Sequence, residues 1–285
     1  MPETQEKIQQ IPISAIRPFR NHPFKVVDDE LMTQTVESIR QSGILNPTII
    51  RPAPEGGYEM VAGHRRQRAA ELAGLATIPA IVRNLTDDEA VILMVDSNLQ
   101  RETISPMERA QAYKMKLEAL KRQGQRTDLT SVQIGPKLWA AEKIAEEAGE
   151  STSQVKRYIR LTELVPEVQA KVDNREIGFN AAVELSYLQP AEQKQFLDAM
   201  DYSQNTPSLS QAQRLKKLSR EGRCTPEAMN EILSEEKKDE LDRVTLPSDV
   251  LRRYFPRNYT PLQMQETIIK LLDQWQKKRQ RQTER

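Results

Sequence analysis

The chain has 285 residues, of which 38% are hydrophobic and 29% charged, with a formal net charge of +1; that length suits two or three compact modules with small cores. The near-neutral balance creates no overall field for nucleic acid, so local placement of charge has to decide that question. One cysteine (Cys224) and two histidines (His22, His64) exclude an internal disulfide and a Cys/His metal cluster, and with no apolar run near the ~20 residues of a membrane span and no signal-peptide core, a cytoplasmic protein is expected.

Residues 1–10 are polar and are expected to be disordered. From residue 11 to residue 82, strand and helix signals alternate, which predicts a small α/β domain. Ile11, Pro12 and Ile13 start a short strand. Residues 28–41 have helical apolar spacing at Leu31, Val36 and Ile39, and Gly43 ends the helix. Residues 47–51 read as a buried strand, Glu55-Gly56-Gly57 as a turn, and residues 58–62 as the second strand of a hairpin. Gly63 breaks that strand, residues 65–73 are helical up to Gly74, and residues 78–82 form a further strand.

Beyond this point the chain turns helical. Thr86 with Glu89, and Ser105 with Glu108, are capping boxes, in which the hydroxyl accepts from the third amide onward and the Glu reaches back. They predict helices over 87–97 and 106–123. Residues 124–136, polar and with two glycines, read as a linker, residues 137–200 as a helical block, and residues 201–210 as a second polar linker. A charged helical tail follows. Its last helix starts at Thr260 and carries Leu262, Ile268, Ile269, Leu272 and Trp275 mostly on one stripe, expected to pack on Leu251, Tyr254 and Phe255. The cations Lys277, Lys278, Arg279 and Arg281 follow, either touching DNA or placed at a solvated helix C-terminus.

The segment 141–160 reads as a helix-turn-helix. Residues 142–148 form a short helix with Ile144 and Ala145 inward, Gly149 supplies the tight turn, and Ser151 caps a second helix with Val155 and Ile159 on its inner face. The other face carries Thr152, Ser153, Gln154, Lys156, Arg157 and Arg160, whose hydroxyls and amide suit base edges and whose cations suit phosphate or guanine. The plain alternative is a helical hairpin with a solvated basic face. The first helix is acidic at Glu142, Glu146 and Glu147, which argues against tight nonspecific backbone binding.

A second constellation, Gly63-His64-Arg65-Arg66-Gln67-Arg68, lies between a strand and a helix. Three cations at a helix N-terminus oppose the dipole unless an anion sits there, and guanidinium forks match phosphate oxygens. The motif alone leaves open whether the phosphate belongs to a nucleotide or to DNA. Downstream, Asp96-Ser97-Asn98-Leu99-Gln100-Arg101 offers oxygen ligands suited to Mg²⁺ and a further phosphate contact, although on its own it reads as a polar interhelical loop.

Taken together these residues resemble the ParB partition-protein family. The matching features are Ile11-Pro12-Ile13 through Pro18 with Asn21-His22-Pro23-Phe24; Ser38-Ile39 with Gly43-Ile44-Leu45-Asn46-Pro47; Gly63-His64-Arg65-Arg66 with Ala69-Ala70 and Leu72-Ala73-Gly74-Leu75; and Asn98-Leu99-Gln100-Arg101 with Pro106 to Ala110. The resemblance covers residues 11–200. It implies an α+β architecture: a nucleotide-binding domain over 11–123, a linker over 124–136, a helix-turn-helix domain over 137–200, and a helical region over 201–285 as candidate dimerisation element. It implies a nucleoid-associated partition protein that binds a centromere-like site on double-stranded DNA as a homodimer and acts with a Walker-type partition ATPase. It further implies CTP and Mg²⁺ as ligands, with a CTP-gated clamp. Gly63, His64, Arg65 and Arg66 then hold the triphosphate, Asn98 helps coordinate Mg²⁺, and Arg101 supports the phosphates.

Two positions depart from the family pattern: His64 and Ser97 stand where the family has Glu. A neutral imidazole does not orient water as a carboxylate does, and Ser97 brings no charge to a cation, so nucleotide binding is expected to outlast hydrolysis. Asp96, one residue off, is a candidate substitute. Rival readings are a site-specific transcription regulator using the same helix-turn-helix, and a nuclease or phosphotransferase on the N-terminal domain. The latter lacks a Cys nucleophile and a carboxylate cluster there.

Overall fold

The computed structural model describes residues 7–101, 104–127, 136–235, 251, 254–256 and 259–283. The chain divides into a unit ending at Glu235 and a second unit from Glu236 onward.

The first unit begins with a five-stranded mixed sheet of β1 (Ile8–Pro12), β2 (Ile16–Arg17), β3 (Thr48–Pro52), β4 (Tyr58–Ala62) and β5 (Thr77–Val82), in the order β1-β5-β3-β4-β2. The edge strand β1 starts inside the segment expected to be disordered. Its residues are exposed except Ile11, so it is held by its antiparallel ladder to β5 rather than by apolar side chains. Residues 1–6 lie outside the described residues. Alternation along the central hairpin sends side chains to two faces. Ile50 and Met60 join Ile11, Ile16, Ile78, Ala80 and Ala70 on one face, while Val61 joins Phe19, Phe24, Ala90, Met94, Val95 and Ala112 on the other.

On the first face α2 (His64–Ala73) adds Ala70, and α1 (Glu30–Ser42) packs on α2 through Met32, Val36, Ile39 and Ala69. The expected inward residue Leu31 is 62% exposed, and Met32, one position on, is buried in its place. Both fit a 3.6-residue period, and Asp29, which caps the Met32 amide, sets the phase. The second face is covered by α3 (Asp87–Leu99) and α4 (Pro106–Thr127). Both expected capping boxes are present: Thr86 and Ser105 each accept from the third amide, and Glu89 and Glu108 each accept the cap amide.

The linker expected over 124–136 is helical at both ends. α4 runs through Gly124 to Thr127, and α5 (Pro136–Ala148) starts six residues before the expected position at 142; residues 128–135 lie outside the described residues. After α5 come α6 (Thr152–Leu161), α7 (Pro166–Asp173), α8 (Phe179–Leu185), α9 (Pro190–Ser203), α10 (Leu209–Arg220) and α11 (Pro226–Ser234). The linker expected over 201–210 holds the last turn of α9, and the helices after it do not form a separate tail. Ala212, Leu215, Met229, Ile232 and Leu233 share one core with Leu161, Val168, Leu185 and Phe196.

Helix α4 belongs to three cores at once. Ala112 faces the sheet, Tyr113, Leu117 and Leu120 meet α5 and α6, and Met107 and Ala110 join the large helical core.

In the second unit α12 (Pro261–Thr283) is capped by Thr260, whose hydroxyl accepts from the Gln263 amide while Gln263 accepts the Thr260 amide. Met264 is buried, but Ile269, Leu272 and Trp275 are 50–58% exposed and Tyr254 is 79% exposed, so the expected packing onto 251–255 does not cover the stripe. The side chains of Leu262, Lys277, Lys278, Arg279 and Arg281 lie outside the described residues. Among the described residues no helix is long and apolar enough to cross a membrane.

Candidate functional site

Strand β4 ends at Ala62, and the chain turns into α2 through Gly63, which caps the helix with φ +113° and no side chain. A Cβ there would lie 2.7 Å from Thr48 Cγ2, and Thr48 is fully buried. Only glycine fits both the dihedral and the close approach. The turn leaves the first amides of α2 without a side-chain cap, at the positive end of the helix dipole.

The arginines of this turn do not all face one place, contrary to the sequence expectation. Arg66 Nη1 donates to the carbonyls of Asn46 and Pro47 at 2.6 and 2.7 Å, and burial lowers its pKa. Arg66 therefore ties α2 to the loop before β3. Arg68 pairs with Asp28 at 2.7 Å and with Glu71 at 3.4 Å. Arg65 Nη2 lies 3.1 Å from Asp29. Arg101 is half-buried, its guanidinium 5.6 Å from the centre of the Phe24 ring. Burial and the nearby Arg65 both lower its pKa, while Glu108 raises it.

His64 is the first residue of α2 and only 8% exposed. Its ring stacks on His22 with centroids 3.8 Å apart and planes tilted by 40°. Burial, His22 and Arg101 lower its pKa to about 3, so it is neutral near pH 7. His22 is lowered too, mainly by burial. Sequence reading placed His22 and Phe24 only in a family signature. The pairing spans 42 positions, and no local pattern reveals it.

The downstream residues do not form a metal site. Asn98 is 3% exposed; its Nδ2 donates to the Met94 carbonyl at 2.8 Å and to Ser97 Oγ at 3.3 Å. Ser97 Oγ donates to the same carbonyl. Asp96, the candidate substitute, pairs with the buried ammonium of Lys116, which also holds Glu147 of α5. It is thus committed elsewhere. Among the described residues no cluster of three or more His, Cys, Asp or Glu suits a metal ion.

The helix-turn-helix forms as the sequence predicts. Gly149 has φ +65°, Ser151 Oγ accepts from the Gln154 amide, and Ile144, Ala145 and Val155 are buried together. On the outer face Ser153 and Lys156 are exposed, and Thr152, Gln154, Arg157 and Arg160 are half-buried. The two arginines reach to α8 and its end. Arg157 Nη2 donates to Asn180 Oδ1 at 2.5 Å, and Arg160 Nη2 to the Ser186 carbonyl at 2.7 Å with its guanidinium 4.2 Å from the centre of the Tyr187 ring. Arg160 buttresses the fold, which leaves Ser153, Gln154, Lys156 and Arg157 nearer the open face.

A family model described as the ParB N-terminal domain matches residues 2–99, and one described as the ParB HTH domain matches residues 136–217. The chromosome-partitioning protein Spo0J of Thermus thermophilus is 36% identical over 192 residues, which are 67% of this chain and 64% of that one. The chain thus spans just under two thirds of that relative's length. Two solved structures of C-terminally truncated ParB from Caulobacter crescentus are similar. One is complexed to the centromeric parS site (28% identity, 75% of this chain, 99% of that chain, TM-score 0.43). The other is complexed with CTP-gamma-S (31% identity, 66% of this chain, 98% of that chain, TM-score 0.32).

Proposed function

The chain belongs to the ParB family, and from that premise we propose that it is a DNA-partition protein which binds a centromere-like site through α6 and carries CTP at the N-terminus of α2. The observation that carries the nucleotide half is the gathering of cations and unpartnered buried ring nitrogens at the start of α2. Burial and the neighbouring Arg65 lower Arg101's tolerance for charge, the helix start lacks a side-chain cap, and buried imidazole nitrogens beside them have no hydrogen-bond partner among the described residues. An anion accepts from the uncapped helix amides, from the guanidinium groups and from His64 Nδ1–H. When bound, the triphosphate would bring negative charge beside these cations. Gly63 lets the backbone approach it, Arg65 and Arg101 hold its oxygens, and Arg66 fixes the loop at Asn46 and Pro47. The choice of cytosine rests on the family.

Magnesium fits less well. Asn98 is turned onto its own helix, Ser97 is neutral, and Asp96 is held by Lys116. These donors are held by partners within the protein and do not build a cation site. With His64 in place of a carboxylate, bound CTP is expected to persist rather than turn over quickly. The DNA half rests on the helix-turn-helix, with Lys156 and Arg157 for phosphates and Ser153 and Gln154 for base edges. A homodimer, a Walker-type ATPase partner and nucleoid association complete the reading.

The test is calorimetric titration of CTP into the purified chain, with and without its selected DNA site, alongside a hydrolysis assay. Saturable binding that weakens tenfold or more in Arg65→Ala, with slow turnover, is expected. Unchanged affinity in Arg65→Ala removes the site assignment, and turnover at a rate usual for the family removes the argument from His64. The neutral His64 and Ser97 also favour a second reading, a static site-specific regulator. It predicts a compact DNA footprint that CTP does not alter.

A further inference from the structure

The stacked histidines carry a complementary pair of unused ring atoms. His22 Nδ1 lies 2.6 Å from the Phe24 carbonyl oxygen, which can only accept, so Nδ1 bears the proton and Nε2 holds a free lone pair. The Phe19 amide donates to His64 Nε2 at 3.5 Å, so His64 bears its proton on Nδ1. His22 Nε2 and His64 Nδ1 are both buried with no hydrogen-bond partner. A buried polar atom without a partner forfeits the hydrogen bonds water gave it, and here two such atoms sit on stacked rings at the start of a ten-residue helix.

The surrounding charges decide what kind of ligand fits. Arg101 faces both rings, and Arg65 faces Arg101. Among the described residues Glu108 of α4 is the one carboxylate acting on His22, and its oxygens already accept from the Lys25 and Ser105 amides. A metal cation would sit among arginines and is disfavoured. An anion's oxygen accepts from His64 Nδ1–H directly. It accepts from His22 only after Nε2 gains a proton.

We propose that His22 and His64 form a subsite for a phosphate oxygen of the bound nucleotide, and that His22 takes one proton from solvent as the phosphate enters. The inference rests on the nucleotide reading above and adds His22 as a binding residue. Without ligand, burial and then Arg101 disfavour the charged form of both rings. With a phosphate beside it, the imidazolium becomes the favoured form. In the range between the free and bound titrations, affinity rises as pH falls, by up to about tenfold per pH unit for one linked proton.

The experiment is calorimetry of CTP binding to the full chain in two buffers of different ionisation enthalpy, at pH 6.5 and pH 8.5. The wild type is expected to take up more protons than His22→Gln. His22→Gln should lose about tenfold in affinity at pH 6.5 and little at pH 8.5, and His64→Gln should lose affinity at both. Protonation of CTP itself is common to all three proteins and cancels in the comparison. Ring-nitrogen NMR of the wild type gives a readout that does not depend on a variant folding: His22 Nε2 should change from unprotonated to protonated on adding CTP. Equal proton uptake in wild type and His22→Gln, or an Nε2 that stays unprotonated in the complex, overturns the proposal while leaving CTP binding intact. Absence of CTP binding by the wild type removes both.

Discussion

At the scale of the residue, His64 illustrates how position sets chemistry. It is buried at the start of α2, stacked on His22 and near Arg101, and burial above all, then His22 and Arg101, disfavours a proton. Its pKa is about 3 in the folded chain against the ordinary 6.5. Between those values the unfolded chain binds the extra proton, so stability is complete above pH 6.5 and is lost as pH falls toward 3. The slope for one such group reaches about 1.4 kcal/mol per pH unit. Denaturant titrations from pH 4.5 to 7.5 should therefore show a shallower decline in His64→Gln than in the wild type. Identical slopes would mean that the burial of His64 does not control its proton. None of this is visible along the chain. Gly63-His64-Arg65-Arg66 reads as a phosphate turn, which the αL glycine agrees with, but the outward pairing of Arg68 and the partner His22 come from tertiary contacts.

At the scale of the element, legibility followed local chemistry. Helix starts were readable at Thr86, Ser105, Ser151 and Thr260 because a cap is a contact three residues long. Strand β1 was not, since Gln9 and Gln10 look like polar tail and only the ladder to β5 orders them. Lys116 was also hidden: a lysine in a helix looks solvated, yet it is 1% exposed and joins α3 to α5 through Asp96 and Glu147. Both carboxylates keep more than 40% of their side-chain surface in water and the ammonium does not. Lys116→Met should thus change stability by no more than ~1 kcal/mol, because the freed carboxylates stay hydrated. Asp96→Asn with Glu147→Gln leaves a buried ammonium unpaired and should cost about 3–5 kcal/mol in urea unfolding. The reverse order would show that the bridge is solvated. On α6 Lys156 is exposed, and in the proposed DNA-binding reading it meets a phosphate. Lys156→Ala should weaken DNA binding to all sequences and lower the salt-dependence slope by about 0.9. A loss confined to one DNA sequence would assign Lys156 to a base edge instead.

At the scale of the whole molecule, the sequence divided the first unit into blocks at 124–136 and 201–210, where polar residues and glycines gather. Composition marks where a chain can bend, but the core records what packs. Helices α10 and α11 lie past the second of these segments yet supply Leu215, Met229 and Leu233 to the core of the helix-turn-helix block. Likewise α4 serves the sheet, the helix-turn-helix and the large helical core with three different faces.

That threefold use of α4 has a consequence for how the chain can be cut and how it comes apart. A fragment ending before Pro106 leaves Ala112's place beneath α3 empty, while one beginning at Pro136 leaves the apolar sides of α5 and α6 without Tyr113, Leu117 and Leu120. Neither piece takes its whole interior with it. Residues 7–235 should accordingly lose structure in one cooperative step, with the sheet and the helix-turn-helix sharing a single melting event through the helix they hold in common.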